Sequence, residues 1–306
     1  MHTGKGQKCM SKTRNIKYQF KHCIDTHFKE GMDKHSLKSQ GKDNSKIYSY
    51  SDRKNLIDLS SNFANWLKIN YPEVKQIKDI GSNHIQEFLN TKIDVCSQKT
   101  LEQYQSRFRK LEVLANSTYN INVNYHNVVT PLSSRNGGGK IRNAMLSTND
   151  YNKLLKSTNT NFRKALTLSF YFGLRAAECA KLRYEDISAK GIKIIDSKGK
   201  RNRFIPAENN QQKKIIEDFL NKTGRVCPVQ TGSLQQAFNR EKKKQGITIS
   251  NGDFHTARKA FATGKYKEYR KQELTVQQAL NTVSHRLGHG NNRNDLMKQY
   301  ICCPLT

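Results

Sequence analysis

DFHTARKAFATGKYKEY (253–269) and SHRLGHGNNRNDLMKQY (284–300) place a His-x-x-Arg pair, a Leu-Gly-His triplet and a terminal tyrosine within fewer than 50 residues. His255 and Arg258 stand at i and i+3, on one face of a helix predicted over 255–269, and Asp253 is its candidate N-cap. A helix N-terminus beside them favours an anion. A second predicted helix over 276–287 runs into Leu287-Gly288-His289, and a short last one leads to Tyr300. Together with Gly173-Leu174-Arg175 and a lysine-rich hairpin upstream, these pieces read as one phosphate-handling site.

Working outward, Phe162–Phe172 is apolar on nearly every side and predicts a buried helix. Gly173 stops it, and a second helix restarts over 176–182, so Arg175 falls at a break where a solvated charge is not expected. A helix over 150–156, opened by Ser147 or Thr148, precedes them. GIKIIDSKGKRNRFIP (191–206) contains two β-rich runs, 192–196 and 203–206, around a Ser-Lys-Gly-Lys turn, which predicts a hairpin. Helices resume over 211–221 and 234–244. The fold class is therefore mainly α with one small β-hairpin (α+β).

Upstream, PLSSRNGGGK (131–140) puts three consecutive glycines among serines and cations, the signature of a flexible linker. It divides the chain into a basic arm (1–50), a helical domain (51–130), the linker (131–144) and a second domain (145–306). In the helical domain Leu56, Leu59, Phe63, Trp66 and Leu67 form one apolar stripe. That stripe makes Trp66 a core residue rather than a base-stacking one. Ser82 is read as the cap of a short helix carrying Ile85, Phe88 and Leu89. Ser97 is read as the cap of a longer one, with Leu101, Phe108 and Leu111 inside and Lys99, Arg107, Arg109 and Lys110 outside. The arm carries one helical island, around 18–28, and is expected to be partly disordered until it meets a partner.

Across the 306 residues, 54 Lys+Arg face 25 Asp+Glu, a net charge of +29. Such an excess needs a polyanion beside it, and nucleic acid is the first candidate. No run of about 18 apolar residues occurs, and the N-terminus lacks the apolar core of a secretory signal, so the expected location is cytoplasmic, nucleoid-associated in a prokaryote. The seven cysteines are irregularly spaced, with no Cys-x2-Cys pair to suggest zinc. They are read as reduced thiols, and no metal or cofactor is expected.

Cutting a phosphodiester without a metal needs a nucleophile, donors for the non-bridging oxygens as charge builds on them, and a proton for the departing 5′ oxygen. Arginine suits the oxygens through its planar fork. Histidine and lysine suit the proton transfers, and a tyrosine conserves the bond energy as an ester, so rejoining needs no ATP.

FYFGLRAAECAKLRYEDI (170–187) resembles the first arginine motif of the tyrosine recombinase (phage integrase) family. On that pattern Arg175 matches the first catalytic arginine and Glu178 its acidic support. The 191–206 hairpin is similar to the family's, with Lys198 at the catalytic lysine. DFHTARKAFAT resembles the His-x-x-Arg box (His255, Arg258), SHRLGHG the Leu-Gly-His box (His289), and Tyr300 matches the nucleophile. Taken singly, Lys198 competes with Lys193 and Lys200, His289 with His285, and Tyr300 with the other twelve of the 13 tyrosines; their order along the chain carries the resemblance. It departs in one spacing, since 300 − 289 = 11 positions separate His289 from Tyr300, two more than is common in the family, and in the few residues after Tyr300.

The resemblance implies a helical core-binding domain joined to a recombinase catalytic domain that breaks and rejoins duplex DNA through a 3′-phosphotyrosine. It implies a homo-oligomer, a tetramer on DNA, with accessory DNA-bending proteins as further partners. Lys99, Arg107, Arg109, Lys110 and Lys140 are the candidate DNA contacts. The alternatives are a type IB topoisomerase, which would relax supercoils without pairing two sites, and a non-catalytic basic nucleic-acid binder, which would form no covalent species.

Overall fold

A computed structural model describes residues 15–30, 32, 37, 39–41, 46–135, 144–197, 202–249 and 252–305. The chain divides into two compact units, 1–140 and 141–306. Among the described residues no helix is long and apolar enough to cross a membrane.

The first unit is built from helices Ile16–Thr26, Tyr50–Asn70, Ser82–Asn90 and Gln98–Tyr119. Three rings organise its core: Phe63 lies 5.1 Å from Phe88 and 5.0 Å from Phe108, edge to face in both cases. Trp66 stacks on Phe63 at 6.0 Å, in the packing role its place on the stripe predicts. Ser97 caps the Gln98–Tyr119 helix as expected. Ser82 does not cap its own: it is the first helical residue, Gly81 is the cap, and His84 Nδ1 accepts the Gly81 N–H at 2.9 Å.

The reading of 1–50 as an arm that orders on a partner does not hold for Ile16–Thr26. Ile16, Phe20, Cys23 and Ile24 form an i, i+4, i+7, i+8 face buried in the same core as Phe63. Lys17 and Lys21 on the opposite face mask that period in a segment so rich in charge. Gln19 Oε1 fastens the helix further by accepting the Ile77 N–H at 2.9 Å.

In the second unit the sheet has strands β1 (Ile187–Ser188), β2 (Gly191–Ile194) and β3 (Arg203–Pro206), antiparallel and in that order. The predicted hairpin is β2–β3, with Ile192 opposite Ile205 and Ile194 opposite Arg203. Ile192, Ile194 and Ile205 are buried, while Lys193 and Phe204, paired on the other face, are exposed. β1 was not foreseen, because two residues carry no period.

Two helices form the spine of this unit. Thr160–Phe172, capped by Asn159, packs against His255–Lys271. Ten of the 17 residues of His255–Lys271 are buried, so this helix runs through the interior instead of along the surface. Its buried Lys265 is tolerated because Glu208 and Glu268 both accept from its ammonium. Glu208 also accepts from Arg286, which ties the stretch after β3 to the end of Val276–Arg286.

The candidate active site

The Thr160–Phe172 helix ends where Gly173 turns left-handed (φ 68°). A Cβ at Gly173 would lie 2.4 Å from Phe261 Cδ1 and 3.1 Å from Leu287 Cδ2, so three elements meet where only glycine fits. Two residues later Arg175 starts the Ala176–Lys181 helix. Its N–H donates to Glu178 Oε2 (2.8 Å) and its Nη1 to Glu178 Oε1 (2.8 Å).

Glu178 is 6% exposed and has five donors on its two oxygens. Besides the two from Arg175, Ser197 Oγ donates at 2.5 Å and Arg203 grips both oxygens, Nη1 to Oε1 at 2.9 Å and Nη2 to Oε2 at 2.7 Å. Burial works against its ionisation. The bonds and charge of Arg203, with Arg258 and Ser197, outweigh burial and hold the carboxyl far below the usual range.

Arg258 is fully buried. Nη1 donates to the Gly173 carbonyl, and Nη2 donates to the Leu287 carbonyl (2.6 Å) and to His289 Nε2 (3.2 Å). One guanidinium thereby fastens the end of one helix to the turn that carries His289. Burial, with the nearby Arg175, lowers its pKa to about 10, so it stays charged at neutral pH.

A guanidinium has only donors, so His289 Nε2 must be the acceptor, and the neutral ring carries its proton on Nδ1. The same Nε2 lies 3.4 Å from the Tyr300 hydroxyl. The Tyr300 ring is 8% exposed and stands edge-on to His289 (5.0 Å) and His255 (4.9 Å), with Arg258 Cζ 5.7 Å from its centroid. The rival His285 bonds Asn291 instead. The long 289–300 spacing is taken up by left-handed Gly290 and Asn292 and by the Asn294–Lys298 helix, whose buried Met297 delivers Tyr300 to the site.

Arg175, Glu178, His255, Arg258, His289 and Tyr300 are thus brought together. Lys198 and Lys140 lie outside the described residues. Lys99 and Arg109 are exposed and Arg107 half-buried on the first unit's Gln98–Tyr119 helix. Lys110, read from sequence as a DNA contact, is instead bound to Asp52 at 2.7 Å. Asp52 comes from the first turn of a different helix, a pairing no local spacing could show.

Sequence reading missed Ser197 and Arg203. A signal for Arg203 was present: it alternates with buried Ile205 on β3, so a charge was being directed to the inner face.

Three guanidiniums (Arg175, Arg203, Arg258) against one carboxylate leave a charge of +2 when both imidazoles are neutral. Burial, with Arg258 next, depresses His255 to about 4 and His289 to about 3. The unfolded rings titrate near 6.5. Because the folded values lie lower, the folded state binds fewer protons below about pH 6.5, and stability falls as pH is lowered through that window. The expected loss is on the order of 1–2 kcal/mol per ring between pH 7 and pH 5. Denaturant titrations at the two pH values check it, and a His255→Gln, His289→Gln double variant should show much less of the loss.

The phage integrase family profile matches residues 144–293, which hold every one of these side chains except Tyr300. The chain carries a phage integrase family domain. A tyrosine recombinase of Pseudothermotoga lettingae is 29% identical over 162 residues, 49% of this chain and 53% of that protein. The chain thus spans about half the length of the curated relative it matches. Two solved structures share the integrase fold. One is the XerH site-specific recombinase in a post-cleavage complex on a palindromic difH substrate (TM-score 0.60, 14% identity, 94% of this chain and 91% of that one). The other is a lambda integrase tetramer bound to a Holliday junction (TM-score 0.59, 17% identity, 92% and 79%).

Proposed function

We propose that this protein is a site-specific DNA recombinase that breaks and rejoins strands through a 3′-phosphotyrosine, without metal or ATP. The reading is carried by one observation: the Tyr300 hydroxyl faces the same His289 nitrogen that Arg258 holds, inside a cluster with a charge of +2. A phosphodiester carries one negative charge and gains a second as a pentacoordinate centre forms, so the cluster matches the transition state better than the ground state.

In this mechanism Arg175 and Arg258 hold the non-bridging oxygens of the scissile phosphate. The Tyr300 oxygen attacks phosphorus and its proton passes to His289 Nε2. The bond from phosphorus to the 5′ oxygen breaks, and that oxygen takes a proton from Lys198, the family resemblance placing this lysine there. His255, edge-on to the tyrosine ring, keeps the ring in line. Attack by the 5′-hydroxyl of a partner strand on the phosphotyrosine reverses each step and restores the tyrosine.

The first unit acts as the DNA-clamping domain, with Lys99, Arg107 and Arg109 as phosphate contacts. Exchange of strands requires two duplexes, hence a homo-oligomer on DNA; the lambda integrase neighbour is a tetramer on its junction. Accessory DNA-bending proteins are the further expected partners.

The test is a pool of duplexes cut from DNA flanking the protein's own gene, each nicked just beyond a candidate cleavage position so that the released fragment diffuses away. A covalent adduct mapping to Tyr300 is expected. DNA binding with no covalent species would leave only a basic nucleic-acid binder.

A further inference from the structure

We propose that Arg203 is a positioning residue for strand cleavage, tying the Arg175–Glu178 pair to the turn that carries His289. This rests on the recombinase reading above and extends it to a residue outside the six that sequence brought together. Arg203 starts β3, directly opposite Ile194, and its side chain is only 9% exposed. Its fork engages both oxygens of Glu178, at 2.9 and 2.7 Å, and Nη1 lies 3.3 Å from Ser197 Oγ. Glu178 in turn holds Arg175 at 2.8 Å.

On its other side the Arg203 stem packs against the Leu-Gly-His turn. A Cβ at Gly288 would lie 3.0 Å from Arg203 Cδ and 3.0 Å from Nη1. Gly288 is left-handed (φ 71°) and directly precedes His289. Arg203 therefore does two things at once. It presents the Glu178 carboxylate to Arg175 in a fixed orientation, and it sets the floor on which the His289 turn rests. It touches neither Tyr300 nor the site of the phosphate, so its effect reaches the reaction through Glu178 and Gly288.

β3 is fastened a second time beyond its end, where Glu208 accepts from Arg286, the residue before Leu287. The strand is thus joined at two points to the segment 286–289. The chemistry asks for a bidentate cation at 203: lysine supplies charge but no fork, and an apolar chain of similar length supplies neither.

The experiment compares full-length parent, Arg203→Met, Arg203→Lys, Glu178→Gln and the Arg203→Met, Glu178→Gln double variant. Single-turnover cleavage of the nicked duplex and DNA affinity are measured from pH 4 to 8. Arg203→Met is expected to cleave about 30- to 100-fold more slowly, with DNA affinity within about 3-fold of the parent. Its acid limb should move to higher pH, because a buried carboxyl without its fork protonates more readily. Arg203→Lys should recover part of the rate. The double variant should be no slower than the slower of the two single variants, since both changes remove the Arg203–Glu178 contact.

Thermal unfolding gives a readout that needs no activity. A Glu178 carboxyl with a depressed folded pKa stabilises above its unfolded value near 4.5, and that stability is lost as pH falls. The gap in Tm between parent and Arg203→Met should therefore be widest near neutral pH and narrow below about pH 4.5. A pH-independent gap, an unmoved acid limb, or rates for Arg203→Met and Glu178→Gln that simply multiply would overturn the assignment. If the parent forms no adduct, the recombinase reading fails by itself, and the pH dependence of the Tm gap still decides whether Arg203 clamps Glu178.

Discussion

Arg258→Ala is expected to lose stability and cleavage together, by about 3–5 kcal/mol in unfolding and by roughly a thousandfold or more in rate. Both effects follow from the same geometry. The guanidinium is wholly buried and donates to the Gly173 and Leu287 carbonyls and to His289 Nε2. Alanine strands three buried acceptors, each costing about 1–3 kcal/mol, and leaves a void beneath Tyr300. Arg258→Lys should recover less than half of either loss, because one ammonium cannot span two carbonyls on different elements. Arg175 makes the useful contrast. Its side chain is 19% exposed, and its partner Glu178 keeps the fork of Arg203 after Arg175 is removed. Arg175→Ala should therefore slow cleavage by a similar factor while costing less than half as much stability. Urea unfolding with single-turnover cleavage on the same preparations measures both quantities. An Arg258→Ala protein as stable as the parent would show that the buried fork does not hold the two helices together.

How much of this was legible in sequence depended on whether a residue's role was local. His255 and Arg258 share a helix face by spacing alone, Ser97 caps by its side chain, and Gly173 announces a break after an apolar run; all of these are legible in the sequence, while the choice between Ser147 and Thr148 as a cap falls to Ser147 in the structure. The buried helix, read over 162–172 and found over Thr160–Phe172, and the β2–β3 hairpin followed from composition and period. What stayed hidden was pairing across the chain. Arg203 meets Glu178 over 25 positions and Lys110 meets Asp52 over 58, so no window of a few turns contains both partners. The Ile16–Thr26 helix matches the helical island read around 18–28, and what stayed hidden, for another reason, was its burial. Its apolar face is clear, but the surrounding charge suggested solvation, and only the packing of Phe20 against the rest of the core decides otherwise. The long 289–300 interval threatened to separate His289 from Tyr300. Two left-handed residues and one buried methionine absorb it, which spacing alone cannot express.

Tyr300→Phe is expected to abolish the covalent adduct, lowering cleavage by on the order of ten-thousandfold or more, while stability and DNA affinity stay near those of the parent. The separation is physical. The hydroxyl's contact to His289 Nε2 is long, at 3.4 Å, and such a stretched bond is worth about 1 kcal/mol or less. The packing of Tyr300 comes instead from the ring, edge-on to His255 and His289 and beside Arg258, and phenylalanine keeps every one of those contacts. The same ring lies over a guanidinium with no exposed surface, the one that holds the phosphate in the proposed mechanism. Phenylalanine keeps the ring in place and removes only the oxygen that bonds to phosphorus in the proposed reaction. Tyr266, Tyr269 and Tyr300 are buried in the same apolar cluster, and the Tyr300 hydroxyl lies 3.4 Å from His289 Nε2. Persistence of a phosphotyrosine adduct in the phenylalanine protein would move the nucleophile elsewhere. Loss of the adduct with an unchanged melting temperature would place the chemistry on a single oxygen atom that the fold does not need.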